Sequence, residues 1–226
     1  PPRELKPMFR EHVMPRTRRA WPPELTTRRC HVCGLAESTA AAHVEPILEA
    51  FPAVRPAYCA RPGELTLTLT APLATQQQLD HAFTMVRDRL GSHVLPLDCA
   101  TVAEAVGKLL TDRGWQLATA ESCTGGAIAK AITDVSGASA FFGGSFVTYA
   151  NAWKMSCLGV RAATLDQYGA VSRETAEEML DGLLARDNTD AGIVVTGIAG
   201  PTGGTPEKPV GLVFVGTGVG ANRRVE

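Results

Sequence analysis

Ala120-Glu121-Ser122-Cys123-Thr124-Gly125-Gly126 decides how this chain is read. The stretch 115–120 predicts a strand, and the sequence from about Gly126 predicts a helix. Strand, tight turn and helix in succession place Ser122 on the turn, beside the free N–H groups of a helix start. That geometry suits a hydroxyl nucleophile, or the holding of a phosphate or an oxyanion. Ser, Thr and Gly at a turn also serve as plain capping residues, so this stretch alone leaves both readings open.

Two further segments share its form. Thr148-Tyr149-Ala150-Asn151-Ala152-Trp153-Lys154 follows the apolar run 145–148, and Thr196-Gly197-Ile198-Ala199-Gly200-Pro201-Thr202-Gly203-Gly204 follows 193–195. Polar or Gly-rich loops after strand-like runs gather at one edge of an open α/β sheet. Strands are predicted at 115–120, 143–149, 191–196 and 210–217. A helix over 101–110 has Thr101 and Glu104 as a capping box, Val102, Val106, Leu109 and Leu110 as its apolar face, and Gly114 as its stop. A second helix, 172–186, has Ser172 as N-cap and Ala176, Met179, Leu180, Leu183 and Leu184 on one side. Strands interleaved with helices predict an α/β layered domain.

Residues 25–94 predict a separate, small α+β unit. Leu65-Thr66-Leu67-Thr68-Leu69-Thr70 alternates strictly, so it is a half-buried strand with its leucines inward, entered through the turn Arg61-Pro62-Gly63. Thr75 and Gln78 are expected to cap a helix carrying Leu79, Phe83, Val86 and Leu90, which Gly91 ends. An earlier helix lies near 38–50, with Pro46 kinking it or starting a new one.

Composition narrows the function classes. The 226 residues carry a net charge of −1, so no global basic field advertises nucleic-acid binding. Arg16, Arg18, Arg19, Arg28 and Arg29 form a local cluster read as solvated surface. No apolar run approaches the roughly 18 residues of a membrane span, and charged sequence follows directly on Pro1, so a cytoplasmic protein without a signal peptide is expected. Six cysteines (30, 33, 59, 99, 123 and 157) are scattered. Cys30-His31-Val32-Cys33 has the spacing of half a zinc site or of a redox pair. It lacks a second C-x-x-C and looks like strand, so reduced thiols and no metal site are expected.

The three loops, in this order and spacing and completed by Lys208-Pro209-Val210-Gly211, resemble the C-terminal domain of the CinA family, the nicotinamide mononucleotide deamidases. The resemblance runs from about Thr101 to the end. Residues 25–96 resemble the KH-like middle domain of such proteins, read here as spacer or oligomer scaffold because the RNA-clamping GXXG is absent. Residues 1–24, with Arg3-Glu4-Leu5-Lys6-Pro7-Met8-Phe9, resemble the end of a molybdopterin-binding-like nucleotide domain. The expected organisation is therefore 1–24, 25–96 and 97–226. The sequence is expected to start inside a longer protein and to stop before an arginine-bearing segment and a closing helix. Full-length relatives also carry a metal-dependent nucleotide pyrophosphatase domain, whose activity is not expected here.

The resemblance implies hydrolysis of a carboxamide, which needs a nucleophile, a base, oxyanion donors and an acid for the leaving amine. All the histidines (His12, His31, His43, His81 and His93) precede the α/β domain, so a histidine base within it is excluded. That leaves Ser122 as nucleophile, Lys154 as base and Tyr149 as relay or proton donor. Lysine titrates near 10.4 and must be depressed to act as a base at neutral pH. By residue type alone Lys154 would sit on an exposed helix face and Tyr149 would merely end a strand. Thr124, Gly125 and Gly126 would supply backbone donors to either the oxyanion or the substrate phosphate. Asn151 would orient the carboxamide or cap a turn. Thr196, Gly197, Ala199, Gly200, Gly203 and Gly204 would form a loop whose backbone approaches a ribose phosphate. Glu121 would take a structural hydrogen bond, orient Lys154 or bind nothing, and is grouped with the substrate contacts. Cys123 competes for the nucleophile role, with its side chain expected to point away. No cofactor, a small-molecule substrate and a homo-oligomer are the remaining expectations; the rival reading is an inactive scaffold linked to competence.

Overall fold

The computed structural model describes residues 2–20, 24–61 and 63–226, apart from the side chains of Pro2, Arg3 and Arg18. The chain divides into two compact units, Pro1–Val102 and Ala103–Glu226. Pro62 of the expected turn, and residues 1 and 21–23 of the expected first segment, lie outside the described residues.

The first unit opens with helices α1 (Pro2–Met8) and α2 (Met14–Ala20), joined by a π-helical turn, Phe9–Val13. Then come β1 (Leu25–Cys33), α3 (Glu37–Leu48), β2 (Arg55–Arg61), β3 (Glu64–Pro72) and α4 (Gln76–Leu90). The strands form an antiparallel sheet in the order β1-β3-β2. Alternation in β3 works as expected: Leu65, Leu67 and Leu69 are 0–1% exposed, and they pack with Leu79, Phe83, Val86 and Leu90 of α4. Burial of each such leucine contributes about 1.5–3 kcal/mol. Two local expectations change. Pro46 neither breaks nor restarts α3, because it sits in the last turn of a helix that ends at Leu48. Thr75 is the N-cap residue of α4 but makes no capping bond; its hydroxyl donates back to the Pro72 carbonyl at 2.9 Å.

The second unit holds most of α5 (Val102–Arg113), then β4 (Leu117–Glu121), α6 (Ala127–Thr133), β5 (Phe142–Val147), α7 (Asn151–Leu158), α8 (Ala162–Tyr168), α9 (Arg173–Leu184), β6 (Ala191–Gly197), β7 (Val213–Val219) and β8 (Asn222–Val225). Its sheet runs β5-β4-β6-β7-β8. Strands β5, β4 and β6 are parallel, and β7 and β8 return antiparallel. All of β4 is buried. Parallel pairing brings the ends of β4, β5 and β6 to one edge, so the three loops emerge together.

Helix α9 starts as expected. The Ser172 hydroxyl accepts the Thr175 N–H at 3.1 Å, and Ala176, Met179, Leu180 and Leu183 are fully buried beside Ala118, Ala120 and Val194. The apolar face of α5 differs from expectation. Leu109 is 51% exposed, and the buried residues are Ala105, Gly107 and Leu110. Helix and Phe141 meet at Gly107, where a Cβ would lie 2.5 Å from the Phe141 ring, so that face docks there.

Candidate active site

Ser122 follows directly on buried β4, and its N–H donates to the Val195 carbonyl of β6 at 2.9 Å. The turn closes through Gly125 N–H to the Ser122 carbonyl at 3.1 Å, and Gly126 continues it with φ +98°, a conformation glycine adopts readily. The serine is 8% exposed and faces Lys154, whose Nζ lies 2.9 Å from Ser122 Oγ.

Lys154 is 1% exposed, one of the largest fully buried side chains among the described residues. It sits in the first half of α7, turned under the chain rather than outward. Its Nζ donates to the carbonyls of Thr148, at 2.7 Å, and Tyr149, at 3.4 Å. Burial pulls its pKa below the ordinary lysine value, partly opposed by the field of Cys123. The amine thus lies between two carbonyls and a serine hydroxyl, in surroundings that disfavour its charged form. Thr148 was not among the expected site residues. Its contribution is a backbone carbonyl, which residue type does not reveal.

Glu121 does something other than meet substrate. It is fully buried, and Oε2 accepts from the N–H groups of Gly126 (3.0 Å) and Ile128 (3.1 Å) while Oε1 accepts from Ala129 (2.8 Å). Burial would raise its pKa, but the Thr124 hydroxyl and these three amides outweigh that and hold it below the usual carboxylate value. The start of α6 is thus plugged by the protein's own carboxylate. Gly126 has spent its N–H and cannot offer it to a phosphate or oxyanion.

The other expected site residues differ in exposure and in the bonds they make. Tyr149 brings its carbonyl to Lys154, but its side chain is 71% exposed and has no hydrogen bond to Ser122 or Lys154. Asn151 is the exposed first residue of α7; the cap position belongs to Ala150, so Asn151 caps nothing. Cys123 is partly buried beside Ser122, and the Lys154 charge reaches its thiol. Burial raises the thiol's pKa, and the amides of Cys123 and Thr124 and the Lys154 charge only partly offset this. Thr124 is partly buried and Gly125 exposed on the same turn.

In the third loop, Thr196 is 1% exposed and its hydroxyl is committed to the Ala170 carbonyl at 2.7 Å. Gly200 and Gly204 let the loop close on itself: a Cβ would meet a Val210 methyl at 2.4 Å and the Val210 nitrogen at 2.7 Å, respectively. Gly197 packs as closely against the Leu212 carbonyl, at 2.8 Å. Ala199, Gly203 and Gly204 remain exposed. The pair Cys30 and Cys33 lies in strand β1, with both thiols free. Among the described residues, no three His, Cys, Asp or Glu side chains are grouped to hold a metal ion. Nor is any helix there long and apolar enough to cross a membrane.

Fold and centre together define an α/β domain with a buried serine–lysine pair at the carboxyl edge of a mixed sheet. The family model for the CinA C-terminal domain matches residues 99–226, and this chain belongs to the CinA family. It is 45% identical over 220 residues to a protein of Caldanaerobacter subterraneus subsp. tengcongensis named "Putative competence-damage inducible protein", covering 96% of this chain and 53% of that one. A protein of the same name from Symbiobacterium thermophilum is 42% identical over 222 residues, covering 94% and 52%. The chain thus spans about half the length of the curated relatives it matches. Among solved structures it is similar to the competence/damage inducible protein CihA from Agrobacterium tumefaciens, at TM-score 0.54 and 46% identity, over 55% of this chain and 76% of that one. A CinA superfamily protein from Escherichia coli gives TM-score 0.53 and 35% identity, over 55% and 72%.

Proposed function

We propose that the second unit hydrolyses the carboxamide of nicotinamide mononucleotide, giving nicotinate mononucleotide and ammonia in pyridine nucleotide salvage. The observation that carries this reading is the 2.9 Å contact between Ser122 Oγ and a buried Lys154 amine. The substrate comes from the likeness of the three loops to the deamidase motifs.

In the reactive state Lys154 is neutral. Two of its N–H bonds point to the Thr148 and Tyr149 carbonyls, which turns its lone pair to the Ser122 hydroxyl. Ser122 Oγ adds to the amide carbon as its proton passes to Lys154. The carbon–nitrogen bond then breaks, Lys154 returns the proton to the departing nitrogen, and ammonia leaves an ester on Ser122. Water attacks that ester while Lys154 again takes the proton. Collapse frees the carboxylate and restores the Ser122 hydroxyl. Tyr149 stays a candidate proton donor to a bound substrate, since its exposed ring is free to turn over an occupied site.

The oxyanion donors are the N–H groups of Cys123 and Thr124. Neither donates to a backbone oxygen among the described residues, which leaves both free for an oxyanion. With Glu121 on the α6 start, the ribose phosphate goes to the exposed backbone of 199–204, and Asn151 at the mouth meets the carboxamide. No cofactor is needed for these steps.

Rapid acid quench of the chain with nicotinamide mononucleotide, followed by peptide mass analysis, tests the scheme. A nicotinoyl-nucleotide ester on the Ser122 peptide is expected. Steady turnover by a Ser122→Ala chain would overturn it.

A further inference from the structure

Four consecutive carbonyls, of Tyr168, Gly169, Ala170 and Val171, form the link between α8 and α9, and each accepts a side-chain hydrogen bond. The Gly169 carbonyl takes the hydroxyls of Ser172 (3.1 Å) and Thr175 (2.7 Å), both from the start of α9. The other three are taken from a distance in sequence. Thr196 Oγ1 donates to Ala170, and Lys208 Nζ donates to Tyr168 at 2.6 Å and to Val171 at 2.7 Å. Thr196 and Lys208 flank the Gly-rich segment proposed to hold the nucleotide.

The Lys208 ammonium lies at the carboxyl end of α8, where unpaired carbonyls favour a cation. Charge-assisted bonds of this kind are roughly twice as strong as neutral ones. Nζ packs against Gly169, where a Cβ would stand in ordinary contact at 3.4 Å. The turn that delivers Lys208 is itself locked: Thr205 N–H donates to the Lys208 carbonyl at 2.8 Å, and Lys208 N–H to the Thr205 hydroxyl at 3.1 Å. Gly211 N–H to the Ile198 carbonyl, 2.8 Å, ties the two arms of the loop together. The near arm begins next to Val195, whose carbonyl holds Ser122.

We infer that Lys208 is a positioning residue of the active site, clamping the far arm of the 197–211 loop so that the backbone of 199–204 meets the ribose phosphate. Thr196 fastens the near arm and Lys208 the far one, both onto the same rigid turn. The inference rests on the deamidase reading. It assigns Lys208 to substrate binding and leaves the Ser122–Lys154 chemistry untouched.

Kinetics of Lys208→Met on nicotinamide mononucleotide and on the phosphate-free riboside test it. For the nucleotide, KM should rise about tenfold or more with kcat within about threefold, while kcat/KM for the riboside stays within about threefold. Ethylammonium should restore KM in Lys208→Ala by refilling the carbonyl cage, and tetramethylammonium, which has no N–H, should not. Equal loss of kcat on both substrates, or no change on either, would overturn the inference. A wild-type chain that releases no ammonia would sink the reaction, and amide exchange would then decide the clamp. Faster exchange at Ile198 and Gly211 in Lys208→Ala, reversed by ethylammonium, supports it; unchanged exchange defeats it.

Discussion

At the scale of single residues, the proposed function turns on two buried ionisable groups with opposite tasks. Lys154 is held where its charged form is disfavoured, so the rate should climb with pH through its depressed pKa and fade below it. A flat profile from acid to alkaline pH would contradict a lysine base. Lys154→Met should cut turnover by about 10²–10⁴-fold, the range for losing general acid–base catalysis. It should not lower Tm, because it removes a buried amine and keeps the volume. Glu121 works the other way. Its folded pKa lies below its unfolded value, so its stabilisation is present above the unfolded carboxylate range and lost as pH falls through the folded value. Glu121→Gln turns an amide N–H toward the α6 donors and should cost about 2–4 kcal/mol in urea unfolding. An unchanged midpoint would show that the cap matters little. Neither task is visible in residue type, since a lysine after a strand and a glutamate before a serine are ordinary surface residues elsewhere.

At the scale of elements, backbone-to-backbone approach sets where Lys154 stands. A Cβ on Gly182 of α9 would lie 1.8 Å from the Leu158 carbonyl at the end of α7, the helix that carries Lys154. Gly182→Ala should therefore cost about 3 kcal/mol, as overpacking does, and shift α7 enough to lower kcat. Thermal melts and kcat together check this; a stable, fully active variant would mean the helices can separate freely. Elements with strong patterns were legible in the sequence: the Leu-Thr alternation of β3, the face of α9 and its Ser172 cap all appear where expected. The missed elements have weak signals for physical reasons. β2 carries Pro56, which its edge position tolerates. β8 is a polar edge strand, Asn222 to Arg224 being exposed, so no alternation marks it. Helix α7 has Ala150 at its N-cap and so no side-chain cap.

At the scale of the molecule, order along the sheet does the assembling. Three loops far apart in sequence meet because β5, β4 and β6 run parallel, and the interleaved pattern of strands and helices was enough to foresee that common edge. What the pattern could not give was the allocation of donors: the α6 start, open in the sequence, is filled by Glu121. In the proposed scheme a lysine amine and backbone amides supply base and oxyanion donors, so turnover should be unchanged by EDTA, and its complete loss would mean that a metal takes part. In the proposed reaction Ser122 and Lys154 hydrolyse the carboxamide of nicotinamide mononucleotide. Ammonia release from that nucleotide by the purified chain, with Ser122→Ala in parallel, tests it most directly. Ammonia and nicotinate mononucleotide are expected from the wild type and none from Ser122→Ala; equal release from both, or none from either, would overturn the proposed reaction.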